Sequence, residues 1–150
     1  MKIELKRTIN APSSQLWAYL ADFSNIARFH PLLKGSYFIE GTRHCDVGST
    51  RQCDFKDGHY IKERVTDWQA GSHYTVDIYD TSMPLERAHV TLGVRAINET
   101  TSEAYMHMNM EPKYTVLQPM MFMMFRFFSG PKILQGLEKL HSAELRPVAA

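Results

Sequence analysis

Between about residues 35 and 110 the chain alternates apolar and polar side chains with a period of two, in six runs separated by short turns. That pattern constrains the fold more than any other feature. Successive side chains on a strand point to opposite faces, so a period of two describes strands with one buried and one wet face. The runs are Gly35–Gly41, Ser49–Lys56, His59–Trp68, His73–Tyr79, Arg87–Ile97 and Ser102–Met110. Lys56-Asp57-Gly58-His59 is a tight hairpin signal. Short connections between consecutive strands imply an antiparallel meander. Val76 and Ile78, then Ala88, Val90, Leu92 and Val94, then Ala104, Met106, Met108 and Met110 share the buried parity. Asp77, His89, Thr91, Arg95, Glu103 and His107 hold the opposite one, as do Tyr79 and Tyr105, whereas Tyr74 falls inward.

Helical segments flank this region. Ile3, Leu5 and Ile9 alternate with Lys2, Glu4, Lys6 and Thr8, which reads as a further half-buried strand. Ala11-Pro12-Ser13-Ser14 then opens a helix whose apolar face is Leu16, Trp17 and Leu20. A second short helix starts at Ser24, covers Ile26 and Phe29, and ends at Pro31. Beyond Pro112 the period becomes helical. Residues 116 to 128 are apolar nearly all round, and Ile133, Leu134, Leu137 and Leu140 give a cleaner amphipathic helix after them. Leu117, Met121, Met124 and Phe128 form one stripe, but Leu137 lies half a turn out of phase with it at about 100° per residue. A kink or break at Ser129-Gly130-Pro131 is therefore expected.

Bulk properties narrow the function. At 150 residues the chain fits one domain, 1–150, of ordinary size. With 17 Lys+Arg against 16 Asp+Glu there is no basic stripe for nucleic acid. MKIELKRTI lacks the apolar run of a signal peptide, and no stretch reaches the ~18 apolar residues of a membrane span. A cytoplasmic setting is expected, with Cys45 and Cys53 unpaired. His44, Cys45, Cys53 and His59 match no zinc-ligand spacing, and nothing calls for a metal or nucleotide cofactor.

Three segments in order carry a family resemblance: IELKRTINAPSSQLWAYLADFSNIARFHP, VGSTRQCDFKDGHYIKERV and GLEKLHSAE. Together they resemble the START-like (SRPBCC) superfamily, in particular its polyketide cyclase/dehydrase and lipid-transport branch. The resemblance implies an α+β helix-grip fold. In it a curved seven-stranded antiparallel sheet wraps a long C-terminal helix, with two short helices after strand 1 and a cavity between sheet and helix. Members bind lipids, sterols, polyketides or plant hormones, and some catalyse cyclisation or dehydration. Fold alone does not fix function. The Ser129-Gly130-Pro131 interruption and the Met/Phe-rich run before it depart from the usual single long helix.

Seven of the nine methionines lie between residues 106 and 124. Met is a flexible gap-filler, suited to core packing and equally to an adaptable pocket. The expected ligand-binding residues are Trp17, Phe29, His30, Arg51, Glu63, Tyr74, Val76, Ile78, Val90, Leu92, Met106, Met108, Met110, Met121, Met124, Phe125 and Phe128. Arg51 and Glu63 are the sharpest polar candidates. Strand parity turns both inward on the two arms of the hairpin, where they can pair. An internal structural pair and a ligand contact both stay open, and Glu63 as base with Arg51 stabilising an oxyanion is the catalytic version. No Ser-His-Asp or Cys-His arrangement and no glycine-rich phosphate loop is found in the sequence. For the run PMMFMMFRFF, residues 119–128, burial in the domain ranks first, a homodimer contact second and membrane docking third. The leading expectation is a binding protein for a small hydrophobic molecule. The alternatives are a cyclase, dehydratase or isomerase, and an interaction module taking a lipid or partner helix.

Overall fold

The computed structural model describes residues 1–145. Strand β1 (Lys2–Ile9) is followed by helix α1 (Ser13–Ala21) and a 3₁₀ helix (Phe23–Arg28). Then come β2 (Leu33–Phe38), β3 (Thr50–Phe55), β4 (Tyr60–Gln69), β5 (His73–Thr81), β6 (Leu85–Ala96) and β7 (Ser102–Pro112). The seven strands form one antiparallel sheet in the order β1-β7-β6-β5-β4-β3-β2. Strands β2 to β7 are a meander, and α1 with the 3₁₀ helix carries the chain from one edge strand to the other.

Alternation sets which face is buried. Ala88, Leu92 and Val94 of β6 stand opposite Met110, Met106 and Ala104 of β7, and all six are buried. Ile3 and Leu5 of β1 extend that surface opposite Met108 and Met106. Register shifts interrupt the pairing at Leu33/Gly35, at Lys62/Glu63 and Val65/Asp67, and at Leu85/Arg87. Bulges of this kind increase local twist and bend the strand. They account for a sheet curved enough to wrap a helix.

The C-terminal element runs as α2 (Gln118–Met124), a π-helical turn (Phe125–Ser129) and α3 (Gly130–Glu144). The expected discontinuity is present, one step earlier than Ser129-Gly130-Pro131, and the helix continues through Gly130 and Pro131. Pro131 supplies the physical reason. It has no N–H for the carbonyl of Phe127, and its ring crowds that carbonyl. The Gly130 N–H instead reaches back five residues to the Phe125 carbonyl. This wider spacing takes more residues per turn, so it rotates the buried stripe of α2 relative to that of α3.

Two glycines let α3 sit close. A Cβ on Gly130 would overlap Leu5 of β1, and one on Gly136 would overlap the carbonyl of Phe29. Leu134 and Leu137 are buried on this side of α3. Arg7 of β1 closes the contact at the surface with an ion pair to Glu138, at 2.8 Å.

The run 119–128 differs from its expected burial. Only Met121 of α2 is buried, while Met120, Met123, Phe127 and Phe128 are each more than half exposed. A short helix touching the domain along one stripe cannot bury side chains all round its circumference. No described helix is long and apolar enough to cross a membrane.

Candidate functional site

A cavity of about 270 Å³ lies between the concave face of the sheet and the C-terminal helix. Its inner end is formed by buried residues, among them Arg51, Glu63, Tyr74, Val76, Leu92 and Met106. Its open end is formed by the exposed Lys56 and Asp57 of the β3–β4 hairpin and by Met124 on the helix. Most of the remaining wall is aliphatic or sulfur-bearing.

The polar feature of the wall is built on two adjacent strands. Arg51 of β3 and Glu63 of β4 are direct partners in the ladder, and the two residues are 2 % and 4 % exposed. Arg51 Nε donates to Glu63 Oε1 at 3.1 Å, and Nη2 donates to Oε2 at 3.4 Å. Nη1 donates to the Phe23 carbonyl at 2.8 Å and to the Tyr74 hydroxyl at 3.3 Å. The Cys53 thiol donates to Glu63 Oε1 at 3.2 Å. The guanidinium also lies 4.0 Å from the Phe23 ring centroid, and Trp68 stacks on Tyr74 at 5.5 Å. A buried ion pair is retained without large penalty only when its remaining donors and acceptors are satisfied, and here most are.

The charges follow from this arrangement. Burial alone would push the Arg51 guanidinium down, but the Glu63 carboxylate, with smaller contributions from Tyr74 and Cys53, outweighs it and holds Arg51 above its ordinary value. Burial, reinforced by Glu63, raises the Cys53 thiol well above its usual range, so it is a neutral donor and not a thiolate nucleophile. Burial likewise raises Tyr74. His30 is pushed down from 6.5 to about 4, first by burial and in part by Arg51, against an opposing pull from Glu63. Its imidazole is therefore uncharged at neutral pH.

Of the residues expected at the site, His30, Arg51, Glu63, Tyr74, Val76, Ile78, Val90, Leu92, Met106, Met108, Met110, Met124 and Phe125 line the cavity. Four others do not. Trp17 is turned to Trp68, with ring centroids 5.3 Å apart, because the face of α1 that meets the core is Leu16 and Leu20. Phe29 is buried in the core, where its carbonyl receives the close approach of Gly136. Met121 is buried one helical turn before Met124 and Phe125 and is not part of the cavity wall. Phe128 is 62 % exposed because it falls in the π turn, which rotates it outward.

Sequence reasoning missed Phe23, whose carbonyl and ring both hold Arg51, and the part played by Cys53, which shares the strand parity of Arg51 and donates to Glu63. No sequence signal marks a backbone carbonyl from a distant 3₁₀ helix. The parity of Cys53 with Arg51 was a usable signal. Cys45 is exposed, and among the described residues no three His, Cys, Asp or Glu side chains converge to hold a metal ion.

The model of the family described as polyketide cyclase / dehydrase and lipid transport matches residues 1–143. No curated protein matches the sequence. Among solved structures, the Zhui aromatase/cyclase from Streptomyces sp. R1128 superposes with a TM-score of 0.84 at 11 % identity, covering 100 % of this chain and 98 % of that one. The protein XoxI from Bacillus cereus gives 0.80 at 18 % identity, covering 97 % and 99 %. A START superfamily protein from Mycobacterium smegmatis gives 0.74 at 11 % identity, covering 96 % of each. At these identities the likeness is one of fold.

Proposed function

Because the chain belongs to the polyketide cyclase/dehydrase and lipid transport family, we propose that it binds a small hydrophobic molecule, a lipid, polyketide or aromatic, in the cavity between sheet and C-terminal helix. The observation that carries this reading is the cavity itself. A closely packed interior leaves few voids larger than a water molecule, so about 270 Å³ walled by Met, Leu, Ile and Val is space set aside. We further propose that residues 1–150 act as one ligand-binding unit in the reducing environment of the cytoplasm, where the free Cys45 and Cys53 stay unpaired.

The test is native mass spectrometry of the purified protein, followed by organic extraction. A one-to-one complex with an apolar compound is expected. Val90→Trp, which fills the cavity, should abolish it. A protein that emerges without ligand, and whose cavity methyl signals in NMR ignore a panel of lipids and aromatics, overturns the proposal.

A second reading is supported by the Glu63 carboxylate at the cavity wall and by the fold likeness to an aromatase/cyclase. Here the bound molecule is also transformed. Glu63 moves a proton and Arg51 steadies developing charge on an oxygen. Glu63→Gln keeps the size of the side chain and an oxygen for Arg51, costs stability by leaving the Arg51 charge unmatched, and should abolish turnover in protein that circular dichroism shows to be folded. Unchanged turnover in this variant removes the catalytic role.

A further inference from the structure

Resting on the cavity reading above, we infer that the ligand is an uncharged molecule with a hydroxyl or phenol at one end, and that the His30 imidazole is the group that recognises it.

His30 lines the cavity and is 8 % exposed. Its Nδ1 is buried without a hydrogen-bond partner among the described residues. Buried polar atoms are paired in the great majority of cases, so this one points to a missing partner. The residue is firmly held. Its N–H donates to the Ile26 carbonyl at 3.0 Å, its carbonyl accepts from Leu33 N–H at 3.2 Å, and its ring stands edge-on to Phe55 at 5.7 Å. A half-turn of the ring about χ2 exchanges Nδ1 with Cδ2 and Nε2 with Cε1, so the unpartnered nitrogen can be turned from one side of the ring to the other. A neutral imidazole offers one lone pair and one N–H, which suits a hydroxyl that both donates and accepts.

The charge of the wall selects against ions. The guanidinium of Arg51 is matched by the carboxylate of Glu63, with Phe23 and Tyr74 taking further donors. At the open end Lys56 stands beside Asp57 in the hairpin. Neither sign is in excess, so a carboxylate, phosphate or ammonium entering the apolar interior would lose its hydration without gaining a counter-charge. An apolar body with one neutral polar group loses least.

The experiment compares 2-naphthol, naphthalene and 2-naphthoate by titration calorimetry on the full chain, with wild type, His30→Phe and His30→Asn. Naphthol is expected to bind wild type about tenfold more tightly than naphthalene, equivalent to about 1.4 kcal/mol, and naphthoate more weakly than either. In His30→Phe naphthol and naphthalene should converge, while His30→Asn keeps part of the preference. Naphthol, and not naphthalene, should shift the His30 ring nitrogens in ¹⁵N spectra of wild type. Equal affinities in wild type, or tightest binding of naphthoate, overturn the hydroxyl inference and leave the cavity reading standing. If none of the three binds, the hydroxyl inference falls, and the cavity reading falls with it when the lipid panel also leaves the cavity methyl signals unmoved.

Discussion

Arg51 and Glu63 face one another directly across β3 and β4, joined by two roughly parallel hydrogen bonds of 3.1 and 3.4 Å in an interior that neither charge would enter alone. Removing one partner strands the other. Arg51→Met should destabilise the protein by about 3–5 kcal/mol, whereas replacing both with apolar residues, as in Arg51→Met/Glu63→Leu, should cost far less. Urea unfolding of the two proteins checks this. A double variant no more stable than the single one would show that the pair supports the fold by something other than mutual charge compensation.

His30 makes stability depend on pH. Its pKa falls from 6.5 to about 4 on folding, so the folded state takes up the proton less readily than the unfolded chain. The contribution is complete above pH 6.5 and is lost as pH falls from 6.5 towards 4. At full extent it amounts to about 3 kcal/mol. Wild type should therefore lose stability across this interval relative to His30→Phe, measured by urea midpoints at matched pH. Parallel curves for the two proteins would remove His30 as the cause.

Gly136 sits where α3 crosses the Phe29 carbonyl. Alanine is the better helix former by about 1 kcal/mol, but its methyl would meet a backbone oxygen that cannot swing away. Gly136→Ala should destabilise by about 1–3 kcal/mol through overpacking. Ser142→Ala, on the exposed side of the same helix, should be neutral or slightly stabilising. Thermal melts of the pair separate helix propensity from the contact.

The two thiols should react very differently. Cys45 is exposed, whereas Cys53 is buried, hydrogen-bonded to Glu63 and held protonated. Iodoacetamide at pH 8 should label Cys45 alone in native protein and both in denaturant, as read by peptide mass spectrometry. Early labelling of Cys53 would mean that the cavity wall opens readily.

Met123 and Phe127 are 57 % and 60 % exposed. Met123→Ser/Phe127→Ser should leave the free energy of urea unfolding within about 0.5 kcal/mol of wild type, as surface changes usually do. A larger loss would show that this surface is covered in solution.

These outcomes mark where sequence reasoning reaches. The inward positions of Arg51 and Glu63 were legible because strand parity is strict and the Lys56–His59 hairpin sets their register. The strand runs were legible for the same reason. The Met/Phe run was misjudged because hydrophobicity reports a preference for burial, while the area available against the sheet decides how much is granted. Trp17 and Phe29 were assigned to the cavity from their elements alone. Which flank of an element meets a void and which meets a neighbour depends on packing between residues far apart in the chain, such as Trp17 with Trp68 and Phe29 with Gly136.

The π turn at Phe125–Ser129 amounts to slack in the thread of the C-terminal screw. Taking one residue out of it would tighten the turn to α and swing everything from Thr115 to Met124 around the axis while α3 stayed clamped. The angular setting of the helix beside the cavity's open end thus depends on residue count at one point, and can be reset without touching a single residue of the sheet.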